Sequence, residues 1–184
     1  MAVDVIEFTK QLVAIDSTTY HEYECGQFLA EFLNAEGWTV ERQPVEKPDP
    51  AKTPETGNRP RFNVYASMND ITPDVVLSTH FDTVPPFLGP CREDNEFLYG
   101  RGVCDAKGIL AAQVAAADLL RRNACRVALL FLVSEERDSA GAKVANQSPR
   151  GSKFLINGEP TDNRLALASK RSRTPVKRII GPEH

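Results

Sequence analysis

Two polar segments in the middle of the chain carry residue types that bind metal ions. In residues 78–86, STHFDTVPP, His80 is followed two positions later by Asp82. Residues 100–108, GRGVCDAKG, contain Asp105. A neutral imidazole is a good metal ligand, and a nearby carboxylate can fix its tautomer through the other ring nitrogen. Each segment alone is typical of a surface pair or a helix cap, so any chemistry depends on what the chain brings beside them.

A strand and a helix are predicted to position these three side chains. Residues 74–77 form a short β-branched apolar run, which predicts a buried strand leading into His80. Because positions i and i+2 of a strand lie on one side, His80 and Asp82 are expected to point the same way. Residues 106–122 are rich in alanine and leucine and predict a helix, with Asp105 at its N-cap.

Further acidic residues follow two other predicted strands. Residues 127–133 are a continuous apolar run that predicts a central strand, and Glu135 and Glu136 come directly after it. Residues 154–156 predict a shorter strand, and Glu159 follows that one. Because ligands of α/β sheets collect outside the carboxyl ends of the strands, we expect these acids to meet the histidine and aspartates at one edge.

Such a group of buried carboxylates is unfavourable unless cations lie among them. A mixed histidine and carboxylate set suits zinc or a similar divalent metal. Two ions about 3.5–4 Å apart can share a carboxylate and lower the pKa of a water between them towards roughly 7, while an unligated carboxylate accepts its proton. If residues 135–136 are extended, neighbouring side chains point opposite ways, so one glutamate can bind metal and the other can face the water.

Helices alternate with strands along the chain, which predicts the α/β class. The expected architecture is a three-layer α/β/α fold with a mostly parallel central sheet. Residues 17–19, Ser-Thr-Thr, can cap the second predicted helix, and the proline-rich residues 44–60 predict a loop. The other predicted helices span residues 3–15 and 22–36, and the other predicted strands span residues 38–42, 61–67 and 165–167.

Composition indicates an ordinary soluble globular chain. Its 184 residues are 41% hydrophobic and 26% charged, with a net charge of −3, which gives no nucleic-acid or membrane footprint. No apolar run approaches the roughly 18 residues that span a bilayer, and the acidic start is unlike a signal peptide. The four cysteines form no C-x-x-C pair, so reduced thiols in the cytoplasm are expected. A cysteine hydrolase using Cys104 is a weaker alternative.

Four segments, in this order, resemble the co-catalytic zinc amidohydrolases and exopeptidases. This family includes acetylornithine deacetylase, succinyl-diaminopimelate desuccinylase, aminoacylase and the glutamate carboxypeptidases. With the leading helices, the resemblance covers about residues 1–169. The matching segments are residues 78–86, 100–108, 134–136 and 158–160.

The resemblance implies two divalent ions, zinc first, with cobalt or manganese as alternatives. It implies that Asp82 orients the histidine and that Glu135 is the general base, and then the acid that protonates the leaving amine. The implied substrates are N-acyl amino acids or short peptides, and the implied reaction is hydrolysis of an amide. The metal ligands that it implies are His80 and Glu159 on one ion, Glu136 on the other, and Asp105 as the bridge.

The chain departs from the family pattern in its length and at its end. Family members are about twice as long, with a second, smaller domain that dimerises and grips substrate, and with a late histidine that completes the metal site. Residues 170–184 are a divergent basic tail here. We therefore expect residues 1–169 to be the N-terminal part of a catalytic domain, without the lid and dimerisation domain. The alternative function is a truncated, non-catalytic fragment with residual metal binding.

Overall fold

A computed structural model describes residues 3–46, 59–68, 71–162 and 164. The predicted strand at 165–167 and the predicted tail at 170–184 lie outside these residues. The helices are α1 (Val5–Val13), α2 (Tyr23–Ala35), α3 (Gly108–Arg122) and α4 (Ala140–Ala145). The strands are β1 (Thr39–Val45), β2 (Arg61–Ser67), β3 (Val75–His80), β4 (Arg92–Glu93), β5 (Leu98–Tyr99), β6 (Val127–Leu132) and β7 (Phe154–Asn157).

Within the described residues, the main sheet has five strands in the order β1-β2-β6-β3-β7, and β4 and β5 form a separate hairpin. β3 is parallel to β6 and β7, whereas β2 is antiparallel to β1 and β6. Four of the five strands therefore point in one direction, and β2 is the reversed strand. The carboxyl ends of β3, β6 and β7 consequently lie at the same edge of the sheet.

Three helices cover one face of this sheet. Val64 of β2 and Leu129 of β6 are fully buried in one core cluster together with Leu12, Leu29 and Leu110 from α1, α2 and α3. Burial of each such leucine stabilises the fold by about 1.5–3 kcal/mol. Burial of this face fixes the register of the strands, because a slip by one residue would turn their apolar side chains away from the helices.

The opposite face carries a smaller apolar cluster and one short helix. Tyr65, Val76 and Ala128 are buried together on this side. The Asn63 side chain, on the same face of β2 as Tyr65, donates a 2.9 Å hydrogen bond to the carbonyl oxygen of Gly141 in α4. The helices thus lie on both faces, and the predicted three-layer α/β/α fold is confirmed. No helix in the described ranges has the length and apolar character needed to cross a bilayer.

The first helix is fixed by its cap and by aromatic packing. Asp4 accepts hydrogen bonds from the backbone N–H groups of Ile6 and Glu7 at 3.0 and 3.1 Å, which satisfies two of the free donors at the start of α1. Phe8 then stacks on Phe32 of α2, with ring centroids 4.0 Å apart. α1 is thereby joined to α2 over the sheet.

Residues 17–19 do not cap α2, so that prediction was wrong. The helix begins at Tyr23, after Glu22, whose side chain makes no capping hydrogen bond. Ser17 instead donates through Oγ to the carbonyl oxygen of Phe81 at 2.6 Å. The hydroxyl groups of Ser17 and Thr19 therefore bind the loop that follows β3, and Glu22 makes no side-chain cap at the start of α2.

The predicted loop at residues 44–60 begins later than expected. β1 runs through Pro44 to Val45, and Pro44 pairs with Phe62 of β2. Proline is tolerated at this position because β1 is an edge strand in the part of the sheet that the structure describes. Residues 47–58 lie outside the described residues.

Candidate metal centre

His80 is the last residue of β3, and its imidazole is buried with 1% of the residue exposed. Its Nδ1 is 2.9 Å from the main-chain oxygen of Asp82, and its Nε2 is 3.0 Å from Oδ1 of Asp105. Burial disfavours the charged ring, but the hydrogen bonds with Asp105 and Asp82 outweigh it and raise the pKa of His80 to about 11.

Asp82 is fully buried and connects two loops of the site. Its carboxylate accepts hydrogen bonds from the backbone N–H groups of Glu135 and Glu136, at 2.9 and 3.2 Å, and from the Thr19 hydroxyl at 2.9 Å. The histidine nitrogen Nδ1 is closer to the Asp82 carbonyl, at 2.9 Å, than to its carboxylate, at 3.4 Å. Asp82 thus contacts His80 mainly through its main chain, while its side chain holds the turn after β6.

Asp105 lies in a tight turn, Val103–Lys107, and is not the N-cap of α3. The helix begins at Gly108, and Asp105 has an extended backbone, with φ −124° and ψ 95°. The N-cap prediction was wrong because this turn separates the aspartate from the helix and directs its carboxylate to His80 Nε2. The Asp105 side chain is 43% exposed, so it borders the solvent side of the site.

Glu135 and Glu136 follow β6 in a turn, which contradicts the expectation of an extended chain. Ser134 adopts a left-handed conformation with φ 64°, and the chain bends there. Glu135 Oε2 lies 4.0 Å from His80 Nε2. One ligand atom each from His80, Asp105 and Glu136 lie within 4.8 Å of one another. The bend therefore brings both glutamates towards the histidine.

Glu159 approaches from the end of β7, where two hydrogen bonds join that strand to β3. Gly158 donates to the Ser78 carbonyl oxygen at 2.7 Å, and the Thr79 hydroxyl donates to the Gly158 carbonyl oxygen at 2.8 Å. Burial raises the pKa of the Glu159 carboxyl, His80 lowers it, and the carboxylates of Glu135 and Asp105 raise it further. The charges of His80, Glu135 and Asp105 thus act on Glu159, but its carboxylate is not part of the group of ligand atoms that lie within 4.8 Å of one another.

The donor set fits a divalent cation. Imidazole nitrogen and carboxylate oxygen bind zinc at about 2.0–2.2 Å, which places ligands of one ion up to roughly 4.4 Å apart. The ligand atoms of His80, Asp105 and Glu136 lie within 4.8 Å of one another, a spacing that suits ligands of one ion or of two ions that share Asp105. The half-buried Glu159 is not part of this group of three residues.

Sequence reasoning missed the residues behind the candidate ligands. Three side chains join segments that lie far apart in the chain. The Thr19 hydroxyl binds Asp82, the Ser17 hydroxyl binds the carbonyl oxygen of Phe81, and the buried Lys107 side chain binds that of Leu12. A run of three hydroxyl residues and a lysine near a glycine carry little signal by themselves. Their roles depend on contacts that only the folded chain brings together.

Comparison with known proteins identifies a family and relatives that this chain resembles. Residues 76–170 match the model of peptidase family M20/M25/M40. A probable carboxypeptidase of Aspergillus terreus is 44% identical over 176 residues, which cover 89% of this chain and 39% of that protein. A probable carboxypeptidase of Emericella nidulans is 40% identical over 182 residues, covering 87% of this chain and 40% of that protein.

Solved structures share the fold. An M20 family metallo-carboxypeptidase from Sulfolobus solfataricus has a TM-score of 0.62 at 20% identity, over 84% of this chain and 37% of that one. Human carnosine dipeptidase 1 has a TM-score of 0.67 at 18% identity, over 84% of this chain and 38% of that one. The chain spans about two-fifths of the length of the curated relatives it matches. By the family match and these relatives, the chain belongs to peptidase family M20/M25/M40.

Proposed function

We propose that this protein is the metal-binding part of a hydrolase that cleaves an amide bond in N-acyl amino acids or short peptides. The observation that carries the proposal is the convergence of His80, Asp105 and Glu136, whose ligand atoms lie within 4.8 Å, next to Glu135. Relatives named as probable carboxypeptidases favour cleavage at the carboxyl end of a peptide. Deacetylation and desuccinylation of amino acids are the related alternatives.

Two divalent ions, zinc first and cobalt or manganese as alternatives, would be held by four side chains. His80 and Glu159 would bind one ion, Glu136 would bind the other, and Asp105 would bridge them. Such ions act as Lewis acids and make a water molecule nucleophilic near neutral pH. The buried Asp82 carboxylate fixes the turn that carries Glu136 through the backbone N–H of that residue, at 3.2 Å.

Glu135 is the residue that we propose to move the proton. Its side chain is 27% exposed, so a water molecule and a substrate can approach its carboxylate. Its backbone N–H is held 2.9 Å from Asp82 Oδ1, which limits the positions that the side chain can reach. In this role a carboxylate oxygen accepts the proton of the attacking water and then donates it to the departing amine.

Glu135→Gln is expected to lower kcat by about 10²- to 10⁴-fold, because the amide cannot accept the proton. The metal content should stay at the wild-type level, since Glu135 is not a proposed ligand. The value of kcat is measured with N-acetyl amino acids and N-blocked dipeptides as substrates, and the metal content is measured by atomic emission. Glu31→Gln, which alters an exposed glutamate of α2, serves as the control. Full turnover by the Glu135→Gln variant would remove Glu135 from the mechanism.

A second candidate is metal binding without turnover by this chain alone. Among the described strands, β7 lies at one end of the sheet, and its large apolar side chains are well exposed: Phe154 at 66%, Leu155 at 48% and Ile156 at 56%. An exposed apolar edge strand is typical of a surface that other protein covers. Stoichiometric metal binding by the wild-type chain, without hydrolysis of any substrate above, would favour this candidate over the enzyme.

A further inference from the structure

The side chain of Lys107 is buried beside the proposed metal centre, with 1% of the residue exposed. Its ammonium Nζ donates to the main-chain oxygens of Leu12 and Ile15, at 2.9 and 2.8 Å. A buried ammonium is costly unless hydrogen bonds compensate it. Leu12 lies in the last turn of α1, where the helix dipole favours a cation, and Ile15 lies two residues beyond the end of the helix.

Lys107 also closes the turn that carries Asp105. Its backbone N–H donates to the carbonyl oxygen of Gly102 at 2.8 Å. Gly102 has φ 88°, and a Cβ there would lie 2.9 Å from Thr83 Cγ2 and 3.2 Å from Lys107 Cδ. The lysine stem thus packs over the glycine. The main chain of Lys107 thus closes the turn through its bond to Gly102, and its side chain binds the turn to Leu12 and Ile15.

The segment that receives the ammonium also holds the loop containing Asp82. We define residues 15–19 as the strap. In the strap, Ser17 donates through Oγ to the Phe81 carbonyl oxygen at 2.6 Å, and its own carbonyl oxygen accepts from the backbone N–H of Thr83 at 3.0 Å. Thr19 donates through its hydroxyl to Asp82 at 2.9 Å. The strap therefore contacts residues 81–83, which follow His80, and it also accepts the Lys107 side chain from the turn that carries Asp105.

We propose that Lys107 is a positioning residue that sets the place of Asp105 relative to His80 by fastening the Asp105 turn to the strap. The Asp105 carboxylate lies 3.0 Å from His80 Nε2, and a metal site built from both depends on that separation. Groups behind a metal ligand fix its orientation, and their loss typically costs about 10–100-fold in metal affinity. This inference rests on the proposed function, because it assumes that Asp105 and His80 bind a divalent ion.

The experiment is titration of the whole chain with cobalt(II) alone, read by its visible absorption spectrum and by affinity against a competing chelator. Lys107→Met keeps most of the stem and removes the ammonium. We expect its cobalt affinity to fall by about 10–100-fold and its spectrum to change, as the coordination geometry loosens. Lys107→Arg, which retains a cationic donor, should recover part of both. Circular dichroism establishes that each variant is folded at the temperature used.

Val114→Ala is the matched control, because this buried position of α3 lies outside the turn and the strap. It should lose thermal stability and keep the wild-type cobalt spectrum and affinity. An unchanged affinity in Lys107→Met, or an equal loss in Val114→Ala, would overturn the positioning role. If Lys107→Met does not fold, Ser17→Ala tests the strap: reduced affinity supports the role, and wild-type affinity overturns it. A wild-type chain that binds no cobalt would reject the metal centre itself.

Discussion

Replacing Asp105 with asparagine is expected to weaken zinc or cobalt binding by more than about 100-fold, since loss of a group behind a ligand already costs roughly 10–100-fold. Asp105 Oδ1 is 3.0 Å from His80 Nε2, and in our proposal this carboxylate bridges two ions. An amide cannot supply the negative charge that holds two divalent cations together. Competition titration with a chelator of known affinity measures the change directly.

Asp118→Asn is the control for loss of an aspartate charge. Asp118 pairs with Arg121 and Arg122 in the last turns of α3, whereas Asp105 precedes the start of that helix. Metal affinity should remain at the wild-type level in this variant. If Asp105→Asn and Asp118→Asn bind metal equally well, Asp105 is not a ligand and the bridging role fails.

Asp82→Asn is the second change with a large expected effect, on both stability and metal affinity. The fully buried carboxylate accepts from Glu135 N–H, Glu136 N–H and the Thr19 hydroxyl, and an amide can accept through only one of its two ends. Each buried donor left unpaired costs roughly 1–3 kcal/mol. Because the turn that carries Glu136 loosens, metal affinity should fall by about 10–100-fold. Denaturant unfolding and metal titration measure the two effects.

Thr19→Val separates the bond of the Asp82 carboxylate to the Thr19 hydroxyl from its bonds to the turn after β6. It removes the hydroxyl bond at 2.9 Å and leaves both backbone N–H groups on Asp82. We expect a smaller loss of stability, about 1 kcal/mol, and a smaller loss of metal affinity than in Asp82→Asn. Equal effects of the two variants would show that the turn after β6 does not depend on Asp82.

Sequence patterns predicted the elements that are long and buried. The apolar runs of β3 and β6 and the alternation in β2 identified three adjacent strands, because burial on the sheet requires such side chains. The rule that ligands gather at the carboxyl ends then placed His80, Glu135 and Glu159 at one edge. The short elements α4, β4 and β5 were missed, since a few residues carry too little periodicity.

The errors arose where a distant contact overrides a local rule. Asp105 matches the N-cap pattern, but Lys107 ties the turn that it occupies to Leu12 in the last turn of α1, 95 positions away in the chain. Ser17 and Thr19 also suit helix caps, yet they bind partners 64 and 63 positions away. Ser134 bends the chain after β6 through a left-handed conformation that residue type alone does not favour.

The most direct test is the position of the metal itself. Crystals of the protein grown with zinc, with diffraction collected on both sides of the zinc absorption edge, would locate each ion by its anomalous difference peak. We predict strong peaks bordered by His80 Nε2 and the carboxylates of Asp105, Glu136 and Glu159, at about 2.0–2.2 Å from these ligand atoms. Anomalous peaks confined to other parts of the surface, with no density between His80 and Asp105, would contradict the proposed metal centre.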